Sequence, residues 1–151
     1  MHGSVDGQSI AAIFLRHGAE GRRAKLAANF SSFERDYLTK RAALEPGEEM
    51  VLGGVDNDPV WWLLTTRRLM WSGPAGMHRL PIAELKRVVH DGSAAMRKGQ
   101  YDRRLWTDLE IDGPAGRMGT LTLEPGKPFL GTWHVLQWLV RRADKWRRQA
   151  A

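Results

Sequence analysis

The middle of the chain departs from the usual alternation of apolar and polar positions. In "PVWWLLTTRRLMW", Pro59 to Trp71, two tryptophans and two leucines stand at consecutive positions and a second apolar run follows within a few residues. Neighbours in a strand point to opposite faces. Val60, Trp62, Leu64 and Thr66 therefore share one face and Trp61, Leu63 and Thr65 the other; across a tight reversal near Arg67, Leu69 and Trp71 oppose Met70 in the same way. Both faces of this hairpin are apolar, which an antiparallel sheet tolerates only where both are covered. Leaving Trp61, Leu63 and Met70 in water would forfeit roughly 1.5–3 kcal/mol each, a large share of a domain's net stability. The tethered N-terminal arm, a second copy of the chain or a foreign partner could supply the cover. The arm is the expected one, and any surface it leaves open is a patch of the kind that marks interaction sites.

The first 45 residues predict helices. Ile10, Ile13, Phe14 and His17 recur at helical spacing, Gly18 and Gly21 interrupt, and Ser31 with Glu34 forms a capping-box register that opens a helix whose face is Phe33, Tyr37, Arg41 and Leu44, widened by Leu38. From Met50 onward, short apolar runs separated by turn signals predict an antiparallel meander, with a polar loop reaching to about Gln100. Leu109 and Ile111 alternate with Asp108 and Glu110, so that part of the sheet needs only one cover. The two "GPAG" tetrapeptides, at Gly73 and Gly113, predict turns: proline presets φ at the second position and glycine accepts a left-handed conformation at the fourth. At the end, Phe129, Trp133, Leu136, Leu139, Val140 and Ala143 line one face of an amphipathic helix of about five turns with a basic end, leaving Val135 and Trp138 off the inward stripe.

Composition adds bounds. The 151 residues are 42% hydrophobic and 26% charged, which fits one globular unit with a sizeable core. Cysteine is absent, so disulfides and thiolate metal sites are excluded, and a reducing, cytoplasmic address fits. The apolar run Ile10 to Leu15 lacks a basic leader and is too short for a secretory or spanning segment, so the chain reads as unprocessed and soluble. The net charge of +6 is uneven: residues 1–45 hold 7 basic and 5 acidic side chains, residues 46–128 hold 11 of each, and residues 129–151 hold 5 against 1. The basic character belongs to the last helix, not to the body of the domain.

Chemistry-bearing patterns are sparse. His2, His17, His78, His90 and His134 lack the spacing or companion carboxylates of a metal site on a helix, and His90–Asp91 reads as a strand end entering the turn at Gly92. No serine lies in a nucleophile elbow and no Gly-Lys-Ser/Thr loop occurs. The expectation is a non-enzymatic chain without cofactor or metal.

Thr65, Thr66, Arg68 and Leu69 in the hairpin, followed by Leu80, Pro81, Ile82, Leu85 and Val88, then further strands and one amphipathic helix, resemble bacterial pleckstrin-homology-like (PH-like) and GRAM-like domains. The resemblance covers about residues 46–146. It implies an α+β fold: a partly open antiparallel β-barrel of two orthogonal sheets and about seven strands, capped by the C-terminal helix, over residues 46–151, with residues 1–45 as a helical arm. In phosphoinositide-binding members of that superfamily the loop between the first two strands carries clustered cations. Here it holds Asp56 and Asp58, which argues against phosphoinositide.

Fold does not bring function with it. The leading expectation is a protein-binding or self-assembly module, or an immunity-type or adaptor protein that blocks another protein's site. Its candidate surface comprises Trp61 on the hairpin and Trp138, Arg141, Arg142, Lys145, Trp146, Arg147 and Arg148 on the last helix, since aromatic and arginine side chains dominate binding hot spots. The alternative is that the same basic helix engages an anionic membrane or nucleic acid, with Trp138 or Trp146 as anchor; the plainer account is that the cations complement the helix dipole.

Overall fold

The structure, a computed structural model, describes residues 3–57, 59–74 and 76–150. In chain order the elements are α1 (Gly7–His17), β1 (Ala24–Leu26), α2 (Ser32–Ala42), β2 (Met50–Val55), β3 (Trp61–Thr65), β4 (Arg68–Gly73), β5 (Gly76–Pro81), β6 (Arg87–Val89), α3 (Gly92–Arg97), β7 (Asp108–Gly113), β8 (Gly116–Thr122) and α4 (Lys127–Ala150). The class is α+β. β1 to β5 pair in sequential order in one antiparallel sheet, and β6 to β8 form a second. The two sheets are not closed into a barrel, and the described residues form eight strands where about seven were expected. The additional one, β1, lies in the arm read as wholly helical. It is only three residues long, too short for periodicity to reveal, and pairs with β2 through Ala24↔Gly54 and Leu26↔Leu52.

The hairpin is sandwiched. Trp62 pairs with Trp71, Leu63 with Met70 and Leu64 with Leu69. Trp62, Leu64, Leu69 and Trp71 face the main core with Phe129, Leu136 and Leu139 of α4. Trp61, Leu63 and Met70 face the other way and are buried under Tyr37, Leu38 and Ala42 of α2. Covering an already tethered sheet with an already tethered helix removes this apolar surface from water at little further entropic cost.

α2 begins as expected: Ser31 Oγ accepts the Glu34 N–H (3.1 Å) and Glu34 Oε1 accepts the Ser31 N–H (2.8 Å). Its docking face, however, is Glu34, Tyr37, Leu38 and Ala42, while Phe33 is 67% exposed. The box turns Glu34 inward, where it also meets Lys25 Nζ at 3.0 Å, and one helical step rotates Phe33 into solvent. Val60, expected on the inner face, precedes β3 and is 45% exposed.

Below α2 lies an ion pair. Glu48, with no exposed side-chain surface, takes Arg68 Nη2 at 2.6 Å and Arg68 Nε at 2.9 Å, and Thr65 Oγ1 donates to it. Arg68 also donates to the carbonyls of Ala42 and Ala43, both 3.2 Å, tying the end of α2 to the hairpin turn. Burial raises the Glu48 carboxyl, but the hydrogen bonds from Arg68, Thr65 and the Glu45 N–H outweigh it and hold the group below its usual value. The second tie is Glu124, which accepts the N–H groups of Arg22, Arg23 and Ala24 at 2.8–2.9 Å and so fixes β1 to the chain leaving β8.

Both GPAG segments close hairpins, pairing Gly73↔Gly76 and Gly113↔Gly116, and the fourth-position glycines, Gly76 and Gly116, take the expected positive φ. The stretch expected to be a polar loop contains α3, capped by Asp91, whose side chain accepts the Ala94 N–H. Asp91 thus serves as a helix cap, while its neighbour His90 stacks on Trp106. α4 spans 24 residues, longer than the five turns expected, and α1 lies along one flank of it. Val135 is consequently fully buried, one helical turn beyond Gly131, which touches Phe14. No helix among the described residues is long and apolar enough to cross a membrane.

Candidate functional site

Two surfaces stand out. The first is the outer ridge of α4. His134, Arg141, Lys145 and Arg148 follow at helical steps and are exposed, with Arg142 beside them. None of Arg141, Arg142, Lys145 or Arg148 has an ion-pair partner among the described residues. Trp138 is half-buried against the core, and the Arg142 guanidinium lies 5.2 Å from its ring centroid.

The remaining candidates are structural. Trp146 packs partly buried against the core. Arg147 donates to the carbonyls of Ala83 (3.0 Å) and Leu85 (3.4 Å) and pairs with Asp144, so it fastens α4 to the turn after β5 instead of facing a partner. Trp61, at 5% exposure, is covered by α2 and is not an open surface residue.

The histidines divide in a similar way. His90 stacks on Trp106 at 3.7 Å, and burial holds it below its ordinary pKa against the pull of Asp91 and Asp108. His17 and His134 stack at 3.9 Å and 10°. Burial, then His17, Arg103 and Arg141, keep His134 below the ordinary value. His78 stacks on Trp71 at 4.8 Å; His2 lies outside the described residues. No cluster of three or more metal-ligating side chains occurs among the described residues.

In the loop after β2, Asp56 pairs weakly with Arg23 at 3.7 Å; Asp58 lies outside the described residues.

The second surface is a broad groove of about 980 Å3 where the rim of the larger sheet meets β8. Val60, Trp61, Trp71 and Met77 line one side, Leu121 and the exposed Thr120 and Thr122 the other. Its charges balance: Arg41 and Lys98 stand against Asp108 and Glu110, and Lys98 is itself paired with Asp108. Glu110 accepts from Arg117 and from the Thr120 hydroxyl. The groove was not legible in the sequence, because it joins segments remote along the chain; its only trace is the "TLTLE" alternation that makes β8 a strand. No family model, curated protein or solved structure matches this chain.

Proposed function

We propose that the chain is a non-catalytic protein-binding module of PH-like architecture, and that its recognition site is the groove between the hairpin rim and β8. Four consecutive antiparallel strands, β2 to β5, then three more and a long closing helix, support the PH-like reading. The observation that carries the binding reading is the groove: its volume lies at the upper end of the range of ligand sites, the hairpin side of its wall is apolar and aromatic, and α2 leaves it open. Balanced charge favours an uncharged partner segment. The test is selection of a displayed library of short uncharged peptides on the folded protein, followed by titration against wild type and Val60→Asp. Micromolar binding weakened roughly tenfold or more by the substitution is expected, since a buried carboxylate without a partner is costly. Failure to enrich any peptide, or binding indifferent to the substitution, contradicts it. Self-association would appear as a dimer in size exclusion with light scattering.

A second reading, binding of an anionic surface along α4, is favoured by the four exposed cations without ion-pair partners. Its test is titration of a single-stranded oligonucleotide and of anionic lipid vesicles between about 50 and 200 mM salt. Binding that falls steeply with salt and is lost in Arg141→Glu/Arg142→Glu supports it. No binding at the lower salt removes it.

A further inference from the structure

We propose that the groove captures an extended peptide by adding it as a further strand along the free edge of β8. This rests on the groove reading above and specifies its mode and ligand. β8 is the outermost strand of its sheet. Its pairing with β7 aligns Asp108 with Thr122, Leu109 with Leu121 and Glu110 with Thr120, and the Leu123 N–H donates to the Thr107 carbonyl at 2.7 Å. Hydrogen-bonded and non-bonded pairs alternate along an antiparallel ladder. With Thr107 and Leu123 as a bonded pair, Leu109 and Leu121 are the next, so the main-chain N–H and C=O groups of Thr120 and Thr122 turn away from β7. Among the described residues no other element supplies them with a partner. Both residues line the groove and are exposed. Their hydroxyls are already engaged, Thr120 with Glu110 and Thr122 with Asp108, so the edge's available chemistry is its main chain.

The facing wall contributes side chains. Pro59 and Pro74 lack an N–H, and Val60 and Met77 present apolar surface. Trp71, 1% exposed, also lines the groove, and its Nε1–H has no acceptor among the described residues. One wall therefore asks for alternating main-chain donors and acceptors and the other for apolar side chains. An extended, uncharged segment meets both demands, with main-chain bonds giving affinity and every second side chain giving selectivity.

The experiment uses the peptides selected above, bound to the full chain. Amide hydrogen exchange should slow roughly tenfold or more at Thr120 and Thr122 in the complex, while Leu121, already bonded to β7, changes little. N-methylation along the peptide backbone should weaken binding at every second position. Thr120→Pro, which removes an edge donor, should abolish binding, whereas Thr120→Val, which keeps the N–H, should retain it; if Thr120→Pro fails to fold, the exchange and N-methyl readouts still decide. Binding that is sensitive to Val60→Asp but leaves Thr120 and Thr122 exchange unchanged, with no alternation in the N-methyl series, overturns strand addition while leaving the groove reading intact. Binding indifferent to Val60→Asp is the failure of the groove reading itself.

Discussion

Gly131 of α4 and Phe14 of α1 meet so closely that a β-carbon on the glycine would lie 2.8 Å from both Phe14 Cδ1 and the Phe14 carbonyl oxygen. The same crossing places a β-carbon on Gly18 2.6 Å from Gly131 N. Backbone lies on both sides, so no flexible side chain can yield. Gly131→Ala is expected to destabilise by about 1–3 kcal/mol despite alanine's higher helix propensity, because overpacking outweighs the propensity gain. Gly92→Ala, which meets nothing within 4 Å, is the control and should be neutral or slightly stabilising. Urea denaturation of both variants checks this.

The lid on the hairpin makes a second contrast. Leu38 is fully buried against the face that holds Trp61, Leu63 and Met70, while Phe33, five residues earlier in α2, is 67% exposed. Leu38→Ala should cost about 2–5 kcal/mol and Phe33→Ala within about 0.5 kcal/mol of zero. Equal losses would mean that α2 does not sit as described.

Much of this architecture was legible and some was not, for physical reasons. Consecutive apolar positions at Trp61–Leu64 admit one reading once strand alternation is assumed, and both predicted faces found covers. The Ser31–Glu34 box and the two GPAG turns are local devices, whose bonding partners lie within a few residues. The docking face of α2 was misassigned because apolarity pointed to Phe33, whereas the capping box and the Lys25 pair, acting on a polar residue, set the rotation. Val135 was placed outside because the stripe was drawn for one packing surface, and α1 supplies a second. The cover of Trp61 by α2 and the bonds of Arg147 to the carbonyls of Ala83 and Leu85 join segments remote along the chain, so neither was visible in the sequence. The groove lies between positions as distant as Val60 and Thr120, a relation no window along the chain contains.

Glu48 and Arg68 are stronger together than either is useful alone. Replacing Glu48 by Gln leaves the Arg68 guanidinium, 13% exposed, without its carboxylate and should cost about 3–5 kcal/mol. Glu48→Leu/Arg68→Met, which removes both charges, should recover part of that loss. A double-mutant cycle in urea measures the coupling.

Stability should fall on acidification in two stages. His90 and His134 are held below 6.5, so the unfolded chain takes up protons before the folded one; their contribution is present above about pH 6.5 and is lost as pH falls toward the folded values. Glu34, Glu48 and Glu124 are held below 4.5, so theirs is complete above that pH and is lost as pH falls through the lowered values. Melting temperature followed from pH 8 to 3 should decline gently, then steeply. Glu48→Gln should flatten the lower limb and leave the upper one.

The most direct test of the binding account is residue-resolved NMR of the 15N-labelled protein titrated with a selected uncharged peptide. The account predicts that shifts concentrate on the amides of Val60, Met77, Thr120 and Thr122 and on the Trp71 indole, with Arg141, Arg142 and Lys145 unmoved. Shifts centred on the α4 ridge, with the β8 edge silent, would contradict it.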